Sequence, residues 1–182
     1  MQGNIKIPRA LFLLLLYSAI FAECLEAQNI VKNGDFKAFN SVAYWDTPGF
    51  ILIQGGGVDD GAYVGFTQHL SQTLSTKPGQ EYELKFSIRG YAEGVLQSGP
   101  LALGVDWGSQ SLGTFSVVNG SQTWITERLL VSASDTQTTL KFISASGEPW
   151  LDGVSVVAIP EPSSLALLIF GLAMVCVRLL KY

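Results

Sequence analysis

The side chains in this sequence best suited to chemistry with a ligand are its aromatics. Trp45, Trp107, Trp124 and Trp150 are spread along residues 28–158, and an indole face stacks on the C–H face of a sugar ring as readily as it packs in a core. Burial is the ordinary fate of such rings, so the informative ones are those that a strand end or loop turns outward. Trp124 opens an apolar strand and reads as packing. Trp107, in Asp106-Trp107-Gly108 at the end of a strand, is the ring expected at the surface. Tyr63 and Tyr91 come next, and these three are the expected glycan contacts.

Other reactive types are sparse. His69 is the single histidine, and no Ser or Asp partner is announced by any motif around it, so a Ser–His–Asp device has no support. Glycosidases need two facing carboxylates, and nothing selects a pair from the acids present. Asp59-Asp60, between Gly55-Gly56-Gly57 and Gly61, reads as a tight turn, with a cation or sugar site as the rival reading. Those glycines lack the following helix and Lys-Ser or Lys-Thr step of a phosphate cradle. The expectation is a non-enzyme with no catalytic residue.

The elements that must position these side chains are strands. Glu81-Tyr82-Glu83-Leu84-Lys85-Phe86-Ser87-Ile88-Arg89 alternates apolar and polar residues, as a strand with one buried face requires. Pro78-Gly79 marks the turn before it. The same pattern, bounded by Gly, Asn, Asp and Pro, predicts further strands near 50–54, 62–66, 69–76, 101–107, 111–118, 124–132, 138–144 and 151–158. Nine short strands in one domain imply an all-β fold, a jelly-roll-like antiparallel β-sandwich. Only the two ends of the chain read as helix.

Those ends carry addresses. Lys6 and Arg9 precede an apolar run, Ala10 to Ala22, with small residues at Ala22 and Ala27 for cleavage; Glu23 and Glu26 stop the run at signal-peptide length rather than at that of an uncleaved anchor. Cys24 follows Glu23 rather than a small residue, which argues against lipidation. At the other end, Pro160 and Pro162 hold an extended spacer, Ser163 or Ser164 is placed to cap a helix, and Leu165 to Val177 has no charge. That core spans about 20 Å as a helix, short of a hydrocarbon layer of about 30 Å. Leu179 and Leu180, with Arg178 snorkelling, bring it near the minimum. Arg178 and Lys181 then face the cytoplasm. The expected division is a signal peptide over 1–27, an exported β-sandwich over 28–158, and a terminal segment with a transmembrane helix over 159–182.

The exported part is large enough for one domain. Its seven Lys and Arg against twelve Asp and Glu leave a net charge of −5, which argues against nucleic acid or anionic lipid as a partner. Both cysteines, Cys24 and Cys176, fall in the terminal segments. The domain therefore has no disulfide framework and no cysteine metal site.

The terminal segment resembles the PEP-CTERM sorting signal of bacteria: Pro160-Glu161-Pro162, a serine step, an apolar helix and a basic end at Arg178. The chain departs from the pattern in Ile159, where Val is common, and in a sparse basic end. The resemblance implies export by the Sec machinery, recognition by an exosortase, membrane anchoring through the C-terminal helix, and a cell-surface or extracellular destination after processing in a polysaccharide-producing bacterium.

A second resemblance lies in the middle. Asn29-Ile30-Val31-Lys32-Asn33-Gly34-Asp35-Phe36 with Trp45 downstream is similar to the opening of galactose-binding-like, carbohydrate-binding-module sandwiches. Leu70-Ser71-Gln72-Thr73-Leu74 leading to Pro78-Gly79-Gln80-Glu81-Tyr82 resembles their central hairpin, and Leu151-Asp152-Gly153-Val154-Ser155-Val156 their closing strand. It implies that Trp45 and Trp150 pack internally. It also implies a structural calcium as the one cofactor to test, held by the Gly34 carbonyl and Asp152, with Asp35 standing in for the acid that follows the Phe. Here that position is Lys37, a poor neighbour for a hard cation. The function expected is a structural or adhesive role in the envelope or extracellular matrix. Glycan binding is the alternative, and a polysaccharide-active enzyme is the third reading.

Overall fold

The computed structural model describes residues 28–37, 42–48, 51–55, 62–66, 68–90, 100–118, 120–147 and 149–160, with backbone alone in 51–55 and 62–66. The expected signal peptide, Asp59-Asp60, Tyr91 and the segment from Glu161 onward lie outside the described residues. So does the side chain of Tyr63.

Among the described residues nine strands are found: β1 Ile51–Gly55, β2 Ala62–Phe66, β3 His69–Ser75, β4 Glu81–Arg89, β5 Leu101–Trp107, β6 Gln110–Val117, β7 Ile125–Ser132, β8 Gln137–Ser146 and β9 Trp150–Ala158. The predicted strands match these within a residue or two at each end. β4 shows why the pattern was readable: Tyr82, Leu84, Phe86 and Ile88 are buried, while Glu81, Glu83, Lys85 and Arg89 are not. The turn before it is built as its sequence demands. The Gln80 amide donates to the Lys77 carbonyl at 3.1 Å, and Gly79 holds φ +80°, the type II position that a glycine occupies without penalty.

The strands form two antiparallel sheets, ordered β1-β2-β9-β4-β7 and β3-β8-β5-β6. Only β1-β2 and β5-β6 are sequential neighbours; every other connection carries the chain to the opposite sheet. The inner faces meet through aromatic rings. Tyr82 of β4 packs on Trp107 of β5 at 6.0 Å, and Phe86 of β4 meets Phe115 of β6 at 5.2 Å and Phe142 of β8 at 5.3 Å, both edge to face. Trp45 extends this cluster, 6.2 Å from Phe142 and 5.7 Å from Phe36. Such offset and edge-on pairs add about 1 kcal/mol each beyond the area they bury. The result is a β-sandwich in which Gln28–Ile159 pack as one compact unit.

Two short segments outside the strands tie the opening of the domain to both sheets. Asn29 bridges Val157 on β9, and Asp46 bridges Ser71 on β3. Asn29 Oδ1 accepts from the amides of Val31 and Val156 at 3.1 and 2.9 Å. The arch between them, with Phe36 and Trp45 in the core, was not legible as structure from periodicity, because its apolar residues follow no regular spacing.

Candidate functional site

Trp107, expected at the surface, is instead a core residue, and this corrects the reading from its place at a strand end. Its ring is 3% exposed, lies against Tyr82, and its indole N–H donates to the Ser132 carbonyl at 2.9 Å. The alternation of β5 already pointed this way: Leu101, Leu103, Val105 and Trp107 share one parity, and all four are buried. Trp45 and Trp150 are buried as expected. Trp124 is half-buried, with the Arg89 guanidinium over its ring at 4.8 Å. His69 starts β3 opposite Ile143, and the row continues to Gly104 and Thr114, so no carboxylate stands beside it in register.

Among the described residues the exposed aromatic is Tyr44, which sequence reasoning missed. It follows from how its neighbours are held. Trp45 points inward and donates from its indole N–H to the Asn33 carbonyl at 3.1 Å. Its amide closes a turn onto Val42 at 2.9 Å, and the Asn33 side-chain amide donates to the Ala43 carbonyl at 3.3 Å. Asp46 is fixed by paired backbone bonds to Ser71, 2.8 and 2.9 Å. With both following residues pinned, Tyr44 is turned out at φ +74°, a left-handed conformation that costs a side-chain-bearing residue about 1–3 kcal/mol. Its ring is 66% exposed. Strand alternation gives no signal for Tyr44, because it sits in a turn at positive φ.

Tyr44 stands over an open groove of about 450 Å³ between residues 28–32 and the edge of β3, within the size range of small-ligand sites. Its floor is an unpaired sheet edge. Ser144 donates to the Gln68 carbonyl and Thr76 to the Thr136 carbonyl, so in this register the residues of β3 bonded to β8 are Leu70, Gln72 and Leu74. The backbone groups of Ser71, Thr73 and Ser75 therefore point the other way. Those of Ser71 are taken by Asp46; among the described residues nothing takes those of Thr73 and Ser75. The far wall is held by Gln72, buried, whose side-chain amide accepts from the Lys32 amide at 2.8 Å and donates to the Lys32 carbonyl at 3.0 Å. With its backbone fixed in this way, Lys32 sends its side chain outward, and the ammonium lies over the Tyr44 ring at 5.5 Å.

The groove thus joins an aromatic face, free backbone donors and acceptors, and one ammonium group, and among the described residues no His, Asp or Glu lines it. That set suits binding of a polyhydroxylated ligand and offers no acid–base pair. The outer face of the second sheet is polar too, with Ser71, Lys141, Asp106 and Ser111 in one row, but among the described residues it carries no aromatic platform.

The residues named for calcium come together only in part. The Gly34 carbonyl accepts from the Val154 amide at 2.9 Å. Asp152 is buried in β9 and accepts from the Gly153 amide at 2.6 Å. Asp35 instead faces Lys37, 3.8 Å from its ammonium. Among the described residues, no three His, Cys, Asp or Glu side chains are grouped to hold a metal ion.

No protein-family model matches this chain, and no curated protein sequence does. Solved structures share the fold. The module TmCBM61, in complex with beta-1,4-galactotriose, is similar with a TM-score of 0.53 and 18% identity, over 73% of this chain and 100% of that one. The CBM22-1-GH10 part of xylanase 10B from Clostridium thermocellum, complexed with xylohexaose, gives 0.55 and 12% identity over 75% of this chain, which spans only 29% of the xylanase chain. A Stig cyclase, Fisc, from Fischerella sp. TAU gives 0.51 and 15% identity over 74% and 98%. At these identities the likeness is one of fold, and the three names already show that one sandwich serves different chemistry.

Proposed function

We propose that this chain is an exported, non-catalytic glycan-binding module, with the groove beside β3 as the sugar site and Tyr44 as its stacking platform. The observation that carries the reading is Tyr44 itself, an exposed ring held in a costly conformation above an unpaired strand edge. The carbohydrate-binding modules among the fold's neighbours support the same class of ligand. In this reading the Thr73 and Ser75 backbone groups bond sugar hydroxyls, and the Tyr44 ring takes the C–H face of a pyranose. The groove displaces Trp107, Tyr63 and Tyr91 as the place to look first.

The test is retention of the purified full-length chain, in detergent, by polysaccharides cast into native gels. The wild type is expected to be retarded by at least one polymer, and Tyr44→Ala to weaken that affinity about tenfold or more, as loss of a stacking aromatic does at other hot spots. No retardation by any polymer ends the proposal, and so does full retention by the Tyr44→Ala chain.

The addresses at the two ends belong to the same proposal. The signal peptide directs the chain to the Sec machinery. Pro160, Glu161, Pro162 and Arg178 mark a PEP-CTERM tail for an exosortase, which leaves the module at the cell surface or in the extracellular polymer. The mass of the protein recovered from cells checks this: loss of the residues beyond Pro162 is expected, and a C-terminus always ending at Tyr182 makes the segment a plain anchor.

A further inference from the structure

Resting on that reading of the groove, we infer that its preferred ligand is a glycan bearing isolated carboxylates, a uronic-acid unit on an otherwise neutral chain, with Lys32 as the residue that selects it. Among the described residues, Lys32 is the one charged residue that lines the groove. It has no ion pair among the described residues, where the pairs are Lys37–Asp35 and Arg128–Glu83. Its neighbour is the Tyr44 ring, with the ammonium 5.5 Å from the centroid. An ammonium over an exposed aromatic ring gains about 0.5–1 kcal/mol and keeps most of its capacity to bond an anion. In this reading a pyranose stacked on Tyr44 turns the substituent at its C5 carbon toward that ammonium, 5.5 Å from the ring centroid. A carboxylate there forms a charge-assisted hydrogen bond, whereas a neutral hydroxymethyl group forms only an ordinary one.

The charge of the whole domain decides between a sparse and a dense anion. Residues 28–158 carry a net −5, so a polyanion with a charge on every sugar is repelled along its length. A single carboxylate meets only the groove, where Lys32 is unopposed and charges farther off than about 10 Å are screened at moderate salt. The expected ligand is therefore singly decorated, and its backbone hydroxyls fall to the free edge groups of Thr73 and Ser75.

The experiment compares glucuronoxylan with the same polymer after chemical reduction of its carboxyl groups, using the full-length chain in detergent. The wild type is expected to bind glucuronoxylan about tenfold more tightly than the reduced polymer, the difference a charged hydrogen bond makes, and to lose that preference in high salt. Lys32→Gln is expected to bind glucuronoxylan and the reduced polymer with equal affinity, the preference being lost. Equal binding of both polymers by the wild type overturns the inference and leaves the glycan-binding reading standing. A Lys32→Gln chain that still discriminates overturns it as well. Lys32 is exposed and its fold contacts run through its backbone, so the variant is expected to melt with the wild type. Binding of neither polymer, with another glycan retained through Tyr44, rejects the uronate while keeping the groove.

Discussion

At the scale of single residues, stability and binding pull apart at Tyr44. The φ of +74° is strained for tyrosine and for alanine alike, and glycine adopts it freely. Tyr44→Gly is therefore expected to melt at or slightly above the wild-type temperature, and Tyr44→Ala at or below it, while both lose glycan affinity to the same degree. Thermal melts beside gel retention check this. A Tyr44→Gly chain that is clearly less stable than Tyr44→Ala would show that the conformation stores no strain. The same residue marks where sequence reading stopped. Trp107 was misplaced because its position before Gly108 outweighed the parity of Leu101, Leu103 and Val105 that put it in the core. Tyr44 was missed because its exposure comes from two bonded neighbours, Trp45 and Asp46, whose partners lie at Asn33 and Ser71. Neither partner is visible in a local window.

At the scale of elements, the strands were legible and the seams between them were not. Alternation in β3, β4, β5 and β9 reports a buried face directly, and a one-residue slip exposes that whole face. The N-terminal segment has no such pattern, and it is held to β3 by a side chain. Gln72 takes the place of a neighbouring strand by bonding both the amide and the carbonyl of Lys32, and that clamp forms one wall of the groove. Gln72→Leu keeps the bulk and removes both bonds. The expected cost is about 1–3 kcal/mol, the range for stranding buried backbone groups, with faster hydrogen exchange at the Lys32 amide. The amides of Leu70 and Leu74, bonded to β8, are expected to keep their protection. An unchanged Lys32 amide in this variant would mean that the segment is held by its bonds to β9, from Asn29 and Ile30 to Val156 and from Gly34 to Val154.

At the scale of the whole molecule, residues 28–158 contain no cysteine, so the domain rests on its apolar core without a disulfide. The core is joined through Phe142. That ring is fully buried and touches Trp45 of the N-terminal arch on one side and Phe86 of the facing sheet on the other. It therefore couples the groove's support to the sandwich itself. Truncating a buried Phe to Ala costs about 3–5 kcal/mol, a large part of the 5–15 kcal/mol that holds an ordinary domain. Phe142→Ala is expected to lower the unfolding free energy by that amount, read as a lower denaturant midpoint at unchanged slope, in a single transition, with tryptophan fluorescence and β-sheet circular dichroism moving together. The fluorescence reports Trp45, Trp107 and Trp150 from separate parts of the core, so coincident curves require the arch and both sheets to unfold as one. A separate early fluorescence change, with the sheet signal intact, would show that the arch carrying Tyr44 unfolds independently and that the groove is only as stable as its own local bonds.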